Sequence, residues 1–333
     1  MSDQPIRPYS LRLLIYTALL IGTILLPPAV KGEEVHTDTS PPLPLLVRAR
    51  HTDTPATMAQ RFFNDPTKGW MITEYNGKEA FAGGEAVVVP TAPFRPGGLA
   101  PDSYQTVPVL AYSDIGDSAE QVSPSAFYDQ MRWLKTEGFV AITPNQLVEF
   151  MKFSGQLPRR SVLITFDTVS QNLYTTGIPI LQELEFTATV FISTDAVGRR
   201  DAMTWNQIRQ SHRDGFAIGC QGRSGRSLTR RTSGQPFKTY FESVASELRS
   251  ARHTIETHLD EPCLFLAYPH GDTNSLVSAM AAKLGFAAAF ARRAGENAFF
   301  ADRYGIHRTP IDSRINAEQF ATLITTRIPA DLN

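Results

Sequence analysis

The feature that most constrains this chain is a rhythm that begins near residue 107, where short apolar runs start to alternate with helical patterns. Strands separated by helices pair in parallel, because a parallel pair needs a long crossover connection and buries both faces of its sheet. The sequence therefore predicts an α/β fold, a (β/α) barrel over residues 107–328. Polar residues that directly follow a strand then lie at the rim, where sites form. The predicted strands are 107–112, 139–142, 162–166, 188–192, 216–219, 264–268, 286–290 and 306–311.

The amino-terminal residues 1–32 have the pattern of a targeting segment. Arg7 and Arg12 precede an apolar run without charges, 13–26, which ends at a pair of prolines. The run fits the core of a signal peptide, about 7 to 15 residues, better than a membrane span, which needs about 20. We therefore expect export to the cell envelope, periplasmic or extracellular, with an uncleaved N-terminal membrane tether as the alternative. Residues 33–44 contain three prolines and no periodicity, which is typical of a linker.

A small segment, residues 45–90, predicts two strands that flank two helices. Thr54 and Pro55 are typical of a helix start, because the threonine caps the first turn and proline suits the first helical position. The segment resembles a LysM module, a small βααβ domain, at His51-Thr52-Asp53-Thr54, Ala59, Asn76 and the run from Gly84 to Pro90. The resemblance implies binding to chains of N-acetylglucosamine, and a βααβ spacer is the alternative. A linker rich in proline and glycine follows at 91–106.

Composition and cysteine content exclude several classes of protein. Thirty-two Lys and Arg residues against 33 Asp and Glu residues leave a net charge of −1, so the whole chain is not a polycation that wraps nucleic acid. The two cysteines, Cys220 and Cys263, are too few for a disulfide framework or a four-thiolate zinc site. Cys220 lies at the carboxyl end of its predicted strand and Cys263 at the start of another, so they are offset by about 15 Å along parallel strands. Both are therefore expected to be free thiols.

Four of the predicted strands carry motifs that occur in the same order in polysaccharide deacetylases. The motifs are Val107 to Tyr112, Leu163 to Asp167, Ala188 to Ile192 and Leu266 to Gly271. The barrel region is therefore similar to the NodB-homology domain of carbohydrate esterase family four. The resemblance implies a distorted NodB-type (β/α) barrel and a role in carbohydrate metabolism. It also implies a hydrolase of carbon–nitrogen, non-peptide amide bonds in N-acetylated polysaccharide.

The same resemblance implies a metal site, and the chain departs from it. Family members hold a divalent metal, usually zinc, with one Asp and two His, and a second Asp acts as base. Asp167 occupies the position of the base, but Thr168, Gln221 and Gly225 occupy the ligand positions. We therefore expect no cofactor, with a divalent metal such as zinc only if the family chemistry persists.

The other polar residues near strand ends define the candidate site. The candidate catalytic residues are Asp167, His270 and Arg308, and the candidate substrate-binding residues are Trp205, Gln221, Tyr268, Arg223 and Arg226. Each has a structural alternative. Asp167 could serve only as an ion-pair partner of Arg308, His270 could replace a rim tyrosine, and Trp205 could pack at the start of its helix. A rebuilt metal site would need His270 and His307 beside Asp167, and their spacing does not require them to converge.

A basic segment, Arg199 to Lys238, contains nine Lys and Arg residues against two aspartates, Asp201 and Asp214. Solvated loop and helix residues explain such a run without any function. The functional alternative is an anionic partner, which could be an acidic glycan, a wall polymer or a membrane surface.

These observations leave three hypotheses from different classes. The first, which the residues favour, is a degenerate polysaccharide deacetylase-like protein, a pseudoenzyme that binds N-acetylated or peptidoglycan-like glycan without metal-dependent deacetylation. The second is an active deacetylase with an unusual site. The third is a scaffold or regulator of an envelope polysaccharide enzyme. Metal content, glycan binding and co-purification of a partner distinguish them.

Overall fold

The computed structural model describes residues 43–92 and 94–329, all of which fall in one contact unit of the chain. The expected signal segment, 1–32, and most of the expected linker, 33–44, lie outside the described residues. Among the helices of the two described ranges, none combines the length and the apolar character needed to span a bilayer.

The first described elements form a small layer in the order βααβ, as the sequence predicts. Strand β1 (Leu45–Arg48) pairs antiparallel with strand β2 (Ala86–Val89). Helices α1 (Pro55–Phe63) and α2 (Gly69–Asn76) connect the two strands. We call these four elements the small module.

Caps and a few apolar side chains stabilise the small module. The Thr54 side chain accepts a hydrogen bond from the Thr57 backbone N–H at 3.1 Å and so caps α1. Asn76 ties the end of α2 to β2, because its side chain donates to the Val88 carbonyl at 2.7 Å and accepts from the Val88 N–H at 3.0 Å. The core consists of Ala49, Met58, Ala59, Ile72, Val87 and Val89.

Two short strands follow inside the segment expected to be a linker. They are β3 (Leu99–Ala100) and β4 (Ser103–Gln105), and they pair antiparallel. Part of residues 91–106 is therefore ordered sheet rather than irregular chain.

Eight short strands form the barrel. They pair in parallel in the order β11-β10-β9-β8-β7-β5-β12, and β6 lies beside the start of β7. A bridge between Phe290 and Ile306 joins the chain that leads into β12 to β11, so it closes the circle. The α/β barrel prediction is therefore confirmed. The strands are β5 (Val109–Tyr112), β6 (Val140–Ala141), β7 (Ser161–Phe166), β8 (Thr189–Ile192), β9 (Ala217–Cys220), β10 (Phe265–Ala267), β11 (Ala288–Phe290) and β12 (Thr309–Ile311).

Helices cover the outside of the barrel. Three of them begin at threonine or serine caps, Ser123, Thr143 and Thr204, and the first two are followed by proline at the first helical position. The helices are α3 (Pro124–Thr136), α4 (Pro144–Met151), α5 (Ile178–Glu183), α6 (Trp205–Arg213), α7 (Phe237–Leu259), α8 (Ser275–Lys283) and α9 (Ala317–Leu323). The final strand, β13 (Arg327–Pro329), returns to pair antiparallel with β4.

The alternation of side chains along β7 decides which residues reach the barrel interior. Ile164 and Phe166 belong to the core between the sheet and its helices, where Phe166 packs edge to face on Phe127 of α3. Leu163 belongs to the core inside the barrel. Because successive side chains of a strand point to opposite faces, Thr165 and the residue after β7, Asp167, face the interior as well.

A partly buried carboxylate of the small module, Glu74, contacts the following segment and the barrel. Glu74 of α2 accepts a hydrogen bond from the Arg159 backbone N–H at 2.8 Å and forms an ion pair with Arg95. On the barrel side, Gln156 Oε1 accepts from the Phe94 and Arg95 backbone N–H groups at 2.9 and 3.0 Å. These contacts join the two parts across the segment expected to be a linker.

Candidate functional site

The centre of the candidate site is a buried ion pair between Asp167 and Arg308. Arg308 donates from Nη1 to Asp167 Oδ1 at 2.7 Å and from Nη2 to Oδ2 at 3.0 Å, the two-pronged geometry of a strong guanidinium–carboxylate pair. The Arg308 side chain is fully buried, and 9% of the Asp167 side chain is exposed. The Arg308 Nε also donates to the Ala291 carbonyl at 3.1 Å. The expected pairing of these two residues is therefore confirmed.

Arg308 reaches Asp167 from an unexpected direction. The sequence predicted that Arg308 follows the carboxyl end of a strand, and this is wrong, because it directly precedes β12. Its side chain instead passes through the barrel interior, where the guanidinium lies 5.2 Å from the centre of the Phe191 ring and 3.3 Å from the Thr165 hydroxyl. The inward-facing row of β7 thus ends in a carboxylate that meets the arginine at the rim.

The three positions at which the family resemblance places metal ligands are engaged in other contacts or lack a side chain. The Thr168 hydroxyl accepts a hydrogen bond from the Ser170 backbone N–H at 3.0 Å. Gln221 Oε1 accepts from the Ser193 hydroxyl at 3.4 Å. Gly225 has a φ of +72°, and a Cβ added there would lie 2.7 Å from Ser193 Oγ. A histidine at this position would be strained and would displace the serine.

This donor set does not fit zinc. A threonine hydroxyl, an amide and a glycine supply no imidazole, thiolate or second carboxylate, whereas zinc sites in proteins use three or four such groups. The rebuilt set with His270 and His307 is not assembled either. Within residues 43–92 and 94–329, no three His, Cys, Asp or Glu side chains form a group that could hold a metal ion.

His270 lies on the turn that follows β10. It is exposed and has a φ of +61°. In the described part of the chain, its side chain forms no hydrogen bond or ion pair with Asp167 or Gln221. Its catalytic role therefore stays a prediction. His307, the other rim histidine considered, precedes β12 and has its Nε2 3.1 Å from Arg293 Nη2.

Two candidate substrate-binding aromatics, Tyr268 and Trp205, pack against other side chains, and Trp205 is only partly buried. Tyr268 is fully buried, and its hydroxyl donates to the Tyr304 carbonyl at 2.7 Å, so its expected place on the glycan-binding surface is corrected to a place in the core. Trp205, at the start of α6, stacks on His258 of α7 with ring centres 4.0 Å apart. One face of the indole is therefore covered, and a role of Trp205 in binding a sugar stays a prediction.

Glu247 on α7, which the sequence interpretation missed, organises the loop after β9. Its side chain is 4% exposed, and Oε1 accepts from the Ser224 backbone N–H at 2.5 Å and from the Ser224 hydroxyl at 2.7 Å. Arg226 Nε lies 3.5 Å from Oε2. The sequence pattern could have identified it, because Glu247 is a carboxylate on the apolar face of α7, beside Val244 and Leu248.

The two candidate arginines lie on this same loop. Arg226 donates to the Ser243 carbonyl at 3.0 Å, and Arg223 Nε lies 3.7 Å from Asp195 Oδ2. Both line a cleft between the loop and α7. Thr194 and Asp195 bond through their backbone N–H groups to the carbonyls of Gly222 and Arg223, so the loop is also fixed to the end of β8.

A second rim carboxylate, Asp114, follows β5. It accepts hydrogen bonds from the Ser170 hydroxyl and from the Ile115 backbone N–H, the latter at 2.8 Å. Burial raises the pKa of the Asp114 carboxyl, and the hydrogen bond from Ser170 partly opposes that shift. The rule that identified Asp167, a carboxylate just after a strand, would have identified Asp114 too.

The two cysteines are buried free thiols, which confirms that they form no disulfide. Burial raises the pKa of the Cys220 thiol to about 12, so it holds its proton near neutral pH and is a poor nucleophile. Cys220 pairs with Leu266 of the neighbouring strand, and Leu266 comes three residues after Cys263. The two cysteines are therefore offset by about 10 Å along the strands rather than by 15 Å.

Comparison with known proteins adds to this geometry. Residues 154–289 match the polysaccharide deacetylase family. A Bacillus subtilis protein named as polysaccharide deacetylase YxkH is 22% identical over 219 residues, which cover 66% of this chain and 76% of that protein. The poly-beta-1,6-N-acetyl-D-glucosamine N-deacetylase of Staphylococcus aureus strain MRSA252 is 24% identical over 159 residues, 46% of this chain and 54% of that enzyme. The chain therefore spans about half the length of this second relative.

A solved structure shows the same fold. The Streptococcus pyogenes deacetylase PplD, determined in complex with acetate, aligns with a TM-score of 0.60 at 18% sequence identity and covers 66% of this chain and 98% of its own. The parallel barrel, the order of its strand motifs, the family match and these relatives agree. The barrel of this chain is similar to the polysaccharide deacetylases and has their NodB-type fold.

Proposed function

We propose that this protein binds N-acetylated glycan at the barrel rim and does not catalyse metal-dependent deacetylation. The observation that carries the proposal is the state of the three ligand positions. Thr168 and Gln221 form hydrogen bonds with their neighbours, and Gly225 has a backbone that disfavours histidine. The protein is thus a binding member of an enzyme family.

The rim groups support binding better than hydrolysis. Both oxygens of Asp167 accept from Arg308, so the carboxylate that occupies the position of the family base is already engaged. Without a bound metal to acidify it, a water molecule has a pKa far above neutral, so a lone carboxylate activates it poorly. Hydroxyl and amide groups such as Ser193 and Gln221 instead match the hydroxyl and acetamide groups of a sugar.

The choice of glycan rests on two observations. The name of the Staphylococcus aureus relative specifies poly-N-acetylglucosamine. The small module has the βααβ order of the LysM module that its sequence resembles, and that resemblance implies N-acetylglucosamine chains as well. We therefore propose a polymer of N-acetylglucosamine as the ligand, bound at the cell envelope after export directed by residues 1–32.

The test combines metal analysis, an activity assay and a binding assay on the purified protein. We expect no stoichiometric zinc or cobalt, acetate release at background from N-acetylglucosamine oligomers, and measurable binding of those oligomers by calorimetry. An active deacetylase of the family, assayed in parallel, serves as the positive control. Stoichiometric metal with chelator-sensitive acetate release would contradict the proposal and restore the active hydrolase. Absence of oligomer binding, with a protein partner recovered instead, would favour the scaffold.

A further inference from the structure

The loop after β9 and helix α7 form a polar cleft of about 400 Å³. Neither Asp167 nor Arg308 lines this cleft. Its lining is rich in hydrogen-bond donors. The guanidinium and hydroxyl groups come from Arg223, Arg226, Arg230, Thr232, Ser243 and Ser246. Because these side chains donate hydrogen bonds, the cleft matches a ligand that accepts them.

The charges in the cleft favour a negative ligand. Glu247 is the carboxylate in the lining, and it is already engaged by Ser224 and Arg226. Asp195 lies 3.7 Å from Arg223, and both side chains are about half exposed, so that pair is weak. Arg230 forms no hydrogen bond or ion pair with any residue of the described ranges. Its guanidinium is therefore available to a ligand.

Contacts with α7 hold Arg226 in a fixed position. Glu247 ties Ser224 and Arg226 to α7, and Arg226 also donates to the carbonyl and hydroxyl oxygens of Ser243. Tyr240 holds the next part of the loop, because its hydroxyl donates to the Leu228 carbonyl at 2.6 Å. A guanidinium that is held in place loses less conformational entropy when it binds an oxyanion.

The cleft continues as a shallow groove along α7. Ser246 is common to both, and the groove extends past Arg249, Ser250 and His253. Arg249 is exposed and has no hydrogen-bond or ion-pair partner in the described part of the chain. Arg249 is thus a second cation without a partner among the described residues, three residues after Ser246 on α7. Two such cations suit a polymer that carries anionic groups at intervals.

We propose that this cleft and groove bind the anionic substituents, carboxylate or phosphate, of a glycan strand. The inference rests on the proposed function, because that function makes the polymer a glycan. It adds a second binding site, separate from Asp167, and requires the glycan to be negatively charged. Guanidinium groups bind carboxylate and phosphate through paired N–H donors, and the interaction weakens as salt screens it.

The experiment measures binding of three probes to the full chain by calorimetry at about 50 and about 300 mM salt, below and above physiological ionic strength. The probes are an oligogalacturonate for carboxylate, a poly(ribitol phosphate) for phosphate, and a neutral N-acetylglucosamine oligomer. The variants are Arg230→Gln and Arg249→Gln. The matched control is Arg200→Gln, since Arg200 lies in the same basic segment but is 93% exposed and outside the cleft.

We expect at least one anionic probe to bind, with affinity that falls with salt. Arg230→Gln should weaken it by about fivefold or more and Arg249→Gln by less, while Arg200→Gln leaves it nearly unchanged. The probe that binds more tightly identifies the anionic group. Equal losses in all three variants, or no loss in any, overturn the inference. Binding of the neutral oligomer should be the same in Arg230→Gln as in the unmodified protein. If the unmodified protein binds an anionic probe but not the neutral oligomer, that result contradicts the proposed function alone.

Discussion

Single residues determine what the rim of this barrel can do. Asp167 keeps the position of the family base but shares both oxygens with Arg308, and neither side chain has more than a tenth of its surface exposed. Removing one partner of such a pair leaves a buried charge without compensation, which typically costs about 3–5 kcal/mol. The pair is therefore expected to be essential to the stability of the barrel whether or not it contacts a ligand.

Arg308→Met tests this expectation. The variant should lower the free energy of unfolding by about 3–5 kcal/mol, as measured by urea denaturation, because Asp167 is left buried beside apolar groups. Adding Asp167→Asn should recover part of the loss, since the double variant removes both charges. Arg132→Met, at a residue 64% exposed, is the matched control and should change stability by less than about 0.5 kcal/mol. A loss no greater than that of the control would show that the pair contributes little.

At the scale of elements, the sequence predicted the strands better than it predicted the contacts between distant residues. All eight predicted barrel strands are present, because an apolar run between helical patterns is a local signal. The run 306–311 was predicted as one strand with Arg308 inside it, but β12 contains only Thr309–Ile311, so Arg308 directly precedes the strand. Contacts such as Glu247 with Ser224 join residues far apart in the chain, so no local pattern encodes them.

The loop after β9 gives a prediction at this scale. Glu247→Ala should release Ser224 and Arg226 and destabilise the protein by about 1–3 kcal/mol, because it removes the acceptor of the Ser224 N–H and hydroxyl and of the Arg226 guanidinium. Amide hydrogen exchange should rise in residues 221–226 and much less in the strands. Glu242→Ala is the matched control, since Glu242 lies on the same helix, is 61% exposed and contacts Lys238 at 3.8 Å. Unchanged exchange in the loop would refute the anchoring role of Glu247.

At the scale of the whole molecule, the segment expected to be a linker instead helps to join the two parts. The strands β3 and β4 lie within it, and β4 pairs with β13 near the carboxyl end. Composition alone indicated a linker, because prolines and glycines punctuate the segment. What composition does not encode is the pairing of β4 with a strand more than two hundred residues away.

Glu74 supplies two of the polar contacts that join the small module to the rest of the chain. Its side chain is 17% exposed and faces Arg95, which is 15% exposed. Burial lowers the pKa of the Arg95 guanidinium, and the charge of Glu74 opposes that shift, so the carboxylate compensates a desolvated cation. Glu74 also accepts from the Arg159 backbone N–H at 2.8 Å, which adds a contact to the barrel itself.

Glu74→Ala should therefore uncouple the small module from the barrel. We expect a loss of about 2–3 kcal/mol, since Arg95 keeps its burial without its counter-charge. Limited proteolysis should cut faster near residues 91–98, and calorimetric unfolding should broaden or separate into two transitions as the two parts lose their shared contact. Glu79→Ala is the matched control, because Glu79 belongs to the same segment and is exposed. If cleavage and the shape of the unfolding transition match those of the control, the module is held by its apolar contacts, such as Tyr75 on Phe94 at 5.2 Å, rather than by Glu74.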